Sequence, residues 1–186
     1  PKEIYWTLNK KLKNKLKKKI RVIPDFPKKG ILFQDITSIT DNKKLFKEVV
    51  LEISKYIKRN KFTKIAAVEA RGFIFGSAVS FKTEVPFVPI RKKGKLPGKV
   101  LKQKYQLEYG SDEIQIHKNS INERDRVLII DDLIATGGTA FASAKLIEKC
   151  RVKSIEFYFI IDLKNIGGSQ KLEKKYKVSS ILETLG

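Results

Sequence analysis

At 186 residues, the chain is long enough for one domain with a substantial core. Its 40 Lys and Arg against 20 Asp and Glu give a net charge of +20, while one Cys and one His exclude an internal disulfide and a His/Cys metal centre. No apolar run approaches the roughly 20 residues of a membrane span and no short apolar segment opens the chain, so a soluble cytoplasmic protein without membrane partners is expected.

Taken in chain order, Ile4, Leu8, Leu12, Leu16 and Ile20 recur every fourth residue, a thin apolar stripe on a basic helix expected within residues 1–22. The alternative is a membrane-surface or transit helix; the narrow stripe favours packing on the domain. Pro24 and Pro27 force extended backbone leading to Gly30 and a short strand at 31–33. Asp41 has the chemistry of an N-cap for a helix carrying Leu45, Phe46, Val49, Val50, Ile53 and Ile57. A strand is expected at 64–69, a helix at 72–82 and a buried strand at 85–91, with Pro86 and Pro89 near its ends. A loop of Gly, Lys and Pro occupies 92–99. Residues 102–109 and 113–117 read as an antiparallel pair turning at Gly110 and Ser111, with His117 on the solvated face opposite Ile114 and Ile116. Cys150, at a helix end, reads as a small packed hydrophobe, so no Cys–His nucleophile is expected. A strand at 154–162, a short helix carrying Leu172 and a segment at 178–182 complete the chain. Strands alternating with helices indicate an α/β fold around a parallel sheet, and no repeat or low-complexity linker divides residues 1–186.

The charge excess is overwhelmingly Lys and is spread along the chain, with no recognisable nucleic-acid module. Weak, salt-sensitive adsorption to nucleic acid is expected, but no specific complex.

Residues 127–139 (VLIIDDLIATGGT) carry the most chemistry. Val127, Leu128, Ile129 and Ile130 have the length and branching of a strand buried on both faces. Asp131 and Asp132 follow, then Ala135, Thr136, Gly137, Gly138 and Thr139, then a helical pattern over 140–150. Converging backbone N–H groups, a helix N-terminus and threonine hydroxyls make an anion site. No Lys follows the Gly pair, as a Walker A loop requires, and the acids precede the loop, unlike a dinucleotide fingerprint. A ribose 5-phosphate fits this order, with phosphate on 135–139 and the 2′- and 3′-hydroxyls on Asp131 and Asp132. The bland alternative is a ligand-free turn, but packing alone gives no reason to place two carboxylates at a buried strand end.

This run resembles the signature of the type I phosphoribosyltransferases. Residues 24–37 (PDFPKKGILFQDIT), 69–76 (EARGFIFG), 90–98 (IRKKGKLPG) and 107–110 (LEYG) resemble adenine phosphoribosyltransferases in order and spacing, and the likeness covers nearly all the chain after about Ile20. It implies a type I phosphoribosyltransferase fold: a central, mostly parallel twisted sheet flanked by helices, with a small hood formed by about 23–37 and the stretch near Ile166. It also implies transfer of the 5-phosphoribosyl group from phosphoribosyl pyrophosphate to adenine, giving AMP and pyrophosphate, with Mg²⁺ as cofactor and a homodimer as the assembly.

The resemblance also suggests roles. Arg71 would grip pyrophosphate and reach the purine, next to Ala70, which stands where the family often has Ser. Arg91, Lys92 and Lys95 belong to a glycine-hinged loop that would close over pyrophosphate, with Arg91 reaching a neighbouring subunit's site. In so basic a chain, any single lysine here reads equally as a solvated charge; Lys95, between Gly94 and Leu96, is the strongest of them. Glu108 is the candidate acid/base group at the purine imidazole, against a plain reading as the cross-strand partner of a lysine. Adenine would stack on Phe33, which could equally be ordinary core, bond to the backbone of Leu32 and be covered by Ile166. Gln34 stands where the family usually has Arg. Mg²⁺ would be held mainly through substrate, with Asp131 and Asp132 as candidate protein ligands. Two alternatives remain: a phosphoribosyltransferase for another base, and a non-catalytic phosphoribosyl pyrophosphate-binding regulator of nucleic acid. The regulator would suit the charge but lacks an added DNA-binding module.

Overall fold

A computed structural model describes residues 2–107 and 110–185, with residues 2–9 and 107 described by their backbone alone. Helix α1 (Lys2–Lys19) leads into a separate antiparallel hairpin of β1 (Arg21–Pro24) and β2 (Leu32–Asp35). The second strand begins one residue later than expected, and its partner β1 was not foreseen. Four residues ending in Pro24 carry little strand signal alone, and a two-stranded ribbon leaves the proline an open edge.

After α2 (Thr37–Thr40) and α3 (Lys43–Asn60), the chain builds its main sheet from β3 (Lys64–Val68), β4 (Phe87–Lys92), β5 (Val100–Leu107), β6 (Gly110–His117), β7 (Arg126–Ile134), β8 (Ser154–Leu163) and β9 (Lys177–Thr184). The spatial order is β5-β6-β4-β3-β7-β8-β9. From β4 to β9 neighbouring strands are parallel, whereas β5 and β6 form an antiparallel extension on β4. The connections are α4 (Arg71–Thr83), α5 (Gly138–Glu148), a 3-10 turn (Lys164–Ile166) and α6 (Gly168–Glu173). This is the expected α/β architecture.

Branched apolar residues make β7 the spine of the molecule. Leu128 and Ile130 pack with residues of α1, α3 and α4 on one face. Val127 and Ile129 pack with Ala144, Leu146 and Ile147 of α5 on the other. All four are at most 1% exposed, so the strand is buried on both faces as its composition requires. Leu12, Leu16 and Ile20 of the N-terminal stripe are buried against the first core, which is the packing role expected for α1; the side chains of Ile4 and Leu8 lie outside the described residues.

Three local expectations need correction. The N-cap of α3 is Asn42, whose extended backbone lets Oδ1 accept from Leu45 N at 3.0 Å, while Asp41 is helical and closes α2. Pro89 sits inside β4 opposite Ala67, not near an end. Pro86 O accepts from Ile65 N of β3 and Ile90 O from Glu69 N just beyond it, so the alternate residue Pro89 turns its missing N–H toward β6, whose pairing starts only at Arg91. Gly110 and Ser111 belong to β6, not to the turn, because Leu107 pairs with Gly110 and Gln106 with Ser111.

The parallel strands place the site. From β3 the chain first passes through α4 to β4 on one side, and later returns as β7 on the other. The carboxyl ends of β3 and β7 therefore meet at a topological switch point, where open α/β sheets leave a crevice.

Candidate active site

Both strands deliver polar residues into that crevice. Beyond β3 come Glu69 and Ala70, and Arg71 starts α4; β7 delivers Asp131 and Asp132 while still in strand form, because the strand continues to Ile134. A cavity of about 270 Å³ is lined by these residues together with Val68, Ile90, Lys92, Tyr105, Asp112, Ile114 and Thr139. A second cavity of about 250 Å³, lined by Tyr56, Arg59, Asp162 and Lys164 among others, contains neither the acid pair nor the glycine loop.

The acid pair is held tightly. Gly72 permits it: a Cβ there would lie 2.9 Å from Asp131 Oδ1 and 3.0 Å from Ile130 O. Asp132 is 2% exposed, and its Oδ2 lies 2.9 Å from Arg71 Nε, yet this oxygen has no aligned hydrogen-bond donor. Burial, and then the charge of Asp132, push the Asp131 carboxyl well above the usual carboxylate range. Burial also raises Asp132, and the Arg71 guanidinium opposes that shift. Asp131 is partly buried and accepts from Asp132 N at 2.9 Å, so the oxygen short of a donor is Asp132 Oδ2, which suits a hydroxyl group or a hydrated cation.

The glycine loop lies alongside. Gly137 has φ +83° and precedes α5, whose first turn carries Gly138 and Thr139 and has no side-chain cap. Its amides are therefore available to an anion, and the helix dipole adds to their attraction. The loop leans on the start of the expected short helix α6, through a contact that nothing in the sequence signals: Gly168 N donates to Ala135 O at 3.0 Å. A Cβ on Gly168 would lie 2.2 Å from that oxygen and 2.7 Å from Gly137 N, so only glycine allows this approach.

Arg71 also links the acid pair to the hairpin, for its guanidinium carbon lies 5.6 Å from the Phe33 ring centroid, which meets Phe26 edge-on at 5.0 Å. Phe33 is half-buried and Leu32 is 43% exposed, so this hairpin has an aromatic face beside the cavity rather than closed core. Ile166 is 38% exposed on the 3-10 turn after β8. Gln34 is buried.

Glu69, the first residue of the EARGFIFG motif, organises the next loop. Its carboxylate accepts from Arg91 Nε at 3.1 Å and from Lys92 N at 3.0 Å. Those bonds, the Arg91 contact first, hold its carboxyl below the usual range despite burial. Arg91 also donates to Lys95 O at 3.2 Å. Lys92 lines the cavity, while Lys95 is exposed in the loop. Tyr105 and Asp112, also missed, face each other across the β5–β6 hairpin; counting back from the Leu107–Gly110 pair would have matched them. Glu108 lies outside the described residues.

A model described as the phosphoribosyl transferase domain matches residues 35–184. An adenine phosphoribosyltransferase of Pelagibacter ubique is 51% identical over 172 residues, covering 92% of this chain and 98% of the relative. Among solved structures, adenine phosphoribosyltransferase from Thermoanaerobacter pseudethanolicus is 46% identical with a TM-score of 0.85, covering 92% of this chain and 99% of that one. The Saccharomyces cerevisiae enzyme, solved with an imino-altritol bisphosphate and adenine, is 37% identical with a TM-score of 0.85, covering 92% and 98%. The chain belongs to the adenine phosphoribosyltransferase family.

Within that family frame, the structure brings only some of the residues that the sequence pointed to into one cavity, and Leu32, Ala135, Thr136, Gly137, Gly138 and Ile166 are not among its lining residues. Ala70, Arg71, Lys92, Asp131, Asp132 and Thr139 line one cavity, with Phe33 joined to it through Arg71. Arg91 and Lys92 are not loop residues as expected but the last two of β4, held there by pairing with β6, and the Arg91 guanidinium donates to the carbonyl of Lys95 in the loop that follows. Among the described residues no group of three or more His, Cys, Asp or Glu could cage a metal. Mg²⁺ needs no such cage, because it commonly keeps several waters and binds through one or two carboxylates plus substrate phosphates. The undersatisfied Asp132 oxygen fits that manner of binding.

Proposed function

We propose that the chain transfers the 5-phosphoribosyl group from phosphoribosyl pyrophosphate to adenine, releasing AMP and pyrophosphate. One observation carries the reading: Arg71 meets both Asp132 of the acid pair and Phe33 of the hairpin, beside an uncapped glycine-loop helix. Phosphate, ribose and an aromatic base can then occupy one continuous path.

The 5′-phosphate takes the amides of 135–139 and the Thr136 and Thr139 hydroxyls. Asp131 and Asp132 hold the ribose hydroxyls, fixing the anomeric carbon for in-line attack. Bond breaking there builds oxocarbenium character, by analogy with glycoside cleavage. Arg71, Lys92, Lys95 and Arg91 neutralise charge growing on the departing pyrophosphate. Mg²⁺ would be held mainly through the substrate, with Asp131 and Asp132 as candidate protein ligands, and would supply further neutralisation of that charge. Adenine stacks on Phe33, meets Leu32 through its backbone and is covered by Ile166; Glu108 takes the N9 proton as the purine attacks. Backbone carbonyls facing a 6-amino group reject a 6-oxo purine, because acceptor would face acceptor.

The reading includes a homodimer in the cytoplasm. Phe81, 90% exposed, and Ile74, 40% exposed, lie on the outer face of α4 and support burial against a second copy. No helix among the described residues is long and apolar enough to cross a membrane.

The test is pyrophosphate release from phosphoribosyl pyrophosphate and Mg²⁺ with adenine, hypoxanthine, guanine or orotate offered separately. Turnover with adenine alone is expected. Turnover with another base would overturn the hairpin assignment and keep the ribose-phosphate site; binding without turnover would favour a regulator.

A further inference from the structure

Asp112 is a carboxylate in the wall of a cavity built for anions. Its placement follows from strand register: Tyr105 pairs with Asp112 across β5 and β6, and Lys92 pairs with Ile114 across β4 and β6. The three side chains form a row. Asp112 Oδ2 lies 3.1 Å from Lys92 Nζ and accepts from the Tyr105 hydroxyl at 3.2 Å, while Oδ1 accepts from Glu113 N at 2.8 Å. The Asp112 side chain is 22% exposed and that of Lys92 57%, so the carboxylate is enclosed by its three partners while the lysine side chain faces open space. Burial disfavours the Asp112 charge, but the Glu113 amide and Lys92 outweigh it and keep the carboxyl below its usual range. The same contact raises the Lys92 ammonium.

We propose that Asp112 is a positioning residue that competes with pyrophosphate for Lys92. In the empty site it docks the ammonium on the cavity wall; when pyrophosphate arrives the ammonium turns to it, and on release Asp112 takes it back. A fixed negative charge beside an anion site lowers affinity for the anion, and a competing partner lowers the population of free Lys92. Asp112 thereby trades pyrophosphate affinity for faster release. The inference rests on the phosphoribosyl-transfer reading.

The experiment is a double-mutant cycle of Asp112→Asn and Lys92→Gln, read by calorimetric binding of pyrophosphate with Mg²⁺ and by steady-state kinetics. Asp112→Asn is expected to tighten pyrophosphate roughly 3- to 10-fold and to lower KM for phosphoribosyl pyrophosphate, with KM for adenine unchanged. In the Lys92→Gln background most of that gain should disappear. Asp112→Ser removes the charge by a second route and should read the same way. Weaker pyrophosphate binding in Asp112→Asn, or equal effects of Asp112→Asn with and without Lys92, would overturn the proposal. Failure of the wild-type chain to turn over adenine would sink the base assignment, leaving the pyrophosphate cycle to be read by itself.

Discussion

The cavity is lined by a carboxyl pair that packing alone would avoid. The Asp131 carboxyl is pushed well above its ordinary value by burial and by its neighbour Asp132. In the folded chain it keeps its proton to higher pH than in the unfolded chain. This group therefore costs no stability below the unfolded value near 3.8, and a cost grows as pH rises through the window toward the folded value. Asp131→Asn removes that cost while preserving shape. The variant should be more stable than wild type at pH 7, with the gain shrinking toward pH 4. Its affinity for phosphoribosyl pyrophosphate should fall at least about 10-fold, since a ribose hydroxyl loses its charged acceptor. Denaturant unfolding at the two pH values checks the first part. An equal gain at both would mean that titration of Asp131 is not its source.

Between elements, the tightest contact near the site is α6 against the glycine loop. In Gly168→Ala, the new Cβ would meet Ala135 O at 2.2 Å, Gly137 N at 2.7 Å and the Thr136 carbonyl carbon at 2.7 Å, all backbone. None of these can swing aside, so the loop itself must shift. Displacement on the order of 1 Å at a positioning loop costs up to about 10²-fold in rate. KM for phosphoribosyl pyrophosphate should rise at least about 10-fold in this variant, with KM for adenine little changed and a lower melting temperature. Steady-state kinetics with each substrate varied in turn decides it, and a parallel rise in both KM values would point to general unfolding. The loop was legible in the sequence because its acids, glycines and threonines are contiguous. Its support was not, since Gly168 lies about 30 residues away and acts only through backbone proximity. The same distinction runs through the fold. Leu128 and Ile130 declared a two-sided strand through local composition, whereas Pro89 looked misplaced until the neighbouring strand showed which edge its missing N–H faces. Glu69, Tyr105 and Asp112 read as ordinary polar residues, because their partners come from other strands.

For the whole molecule, charge and association oppose each other. Each copy carries +20, so bringing two together costs electrostatic work that salt screens over roughly 10 Å at 0.1 M. An apolar contact through Ile74 and Phe81 would oppose that cost without using charge. These residues are seven apart on α4, with exposed Ser77 between them, so they share one outward stripe. Phe81→Glu should therefore shift sedimentation equilibrium from a dimer toward the 21.3 kDa monomer. It should also reduce turnover if Arg91 serves the neighbouring site. Wild-type association should strengthen as NaCl rises from about 0.05 to 0.5 M, since screening relieves the repulsion and leaves the apolar contact in place. An interface held by ion pairs would loosen over the same range. If Phe81→Glu leaves the dimer intact, the copies meet elsewhere, and the exposed ring must be explained by some contact other than self-association.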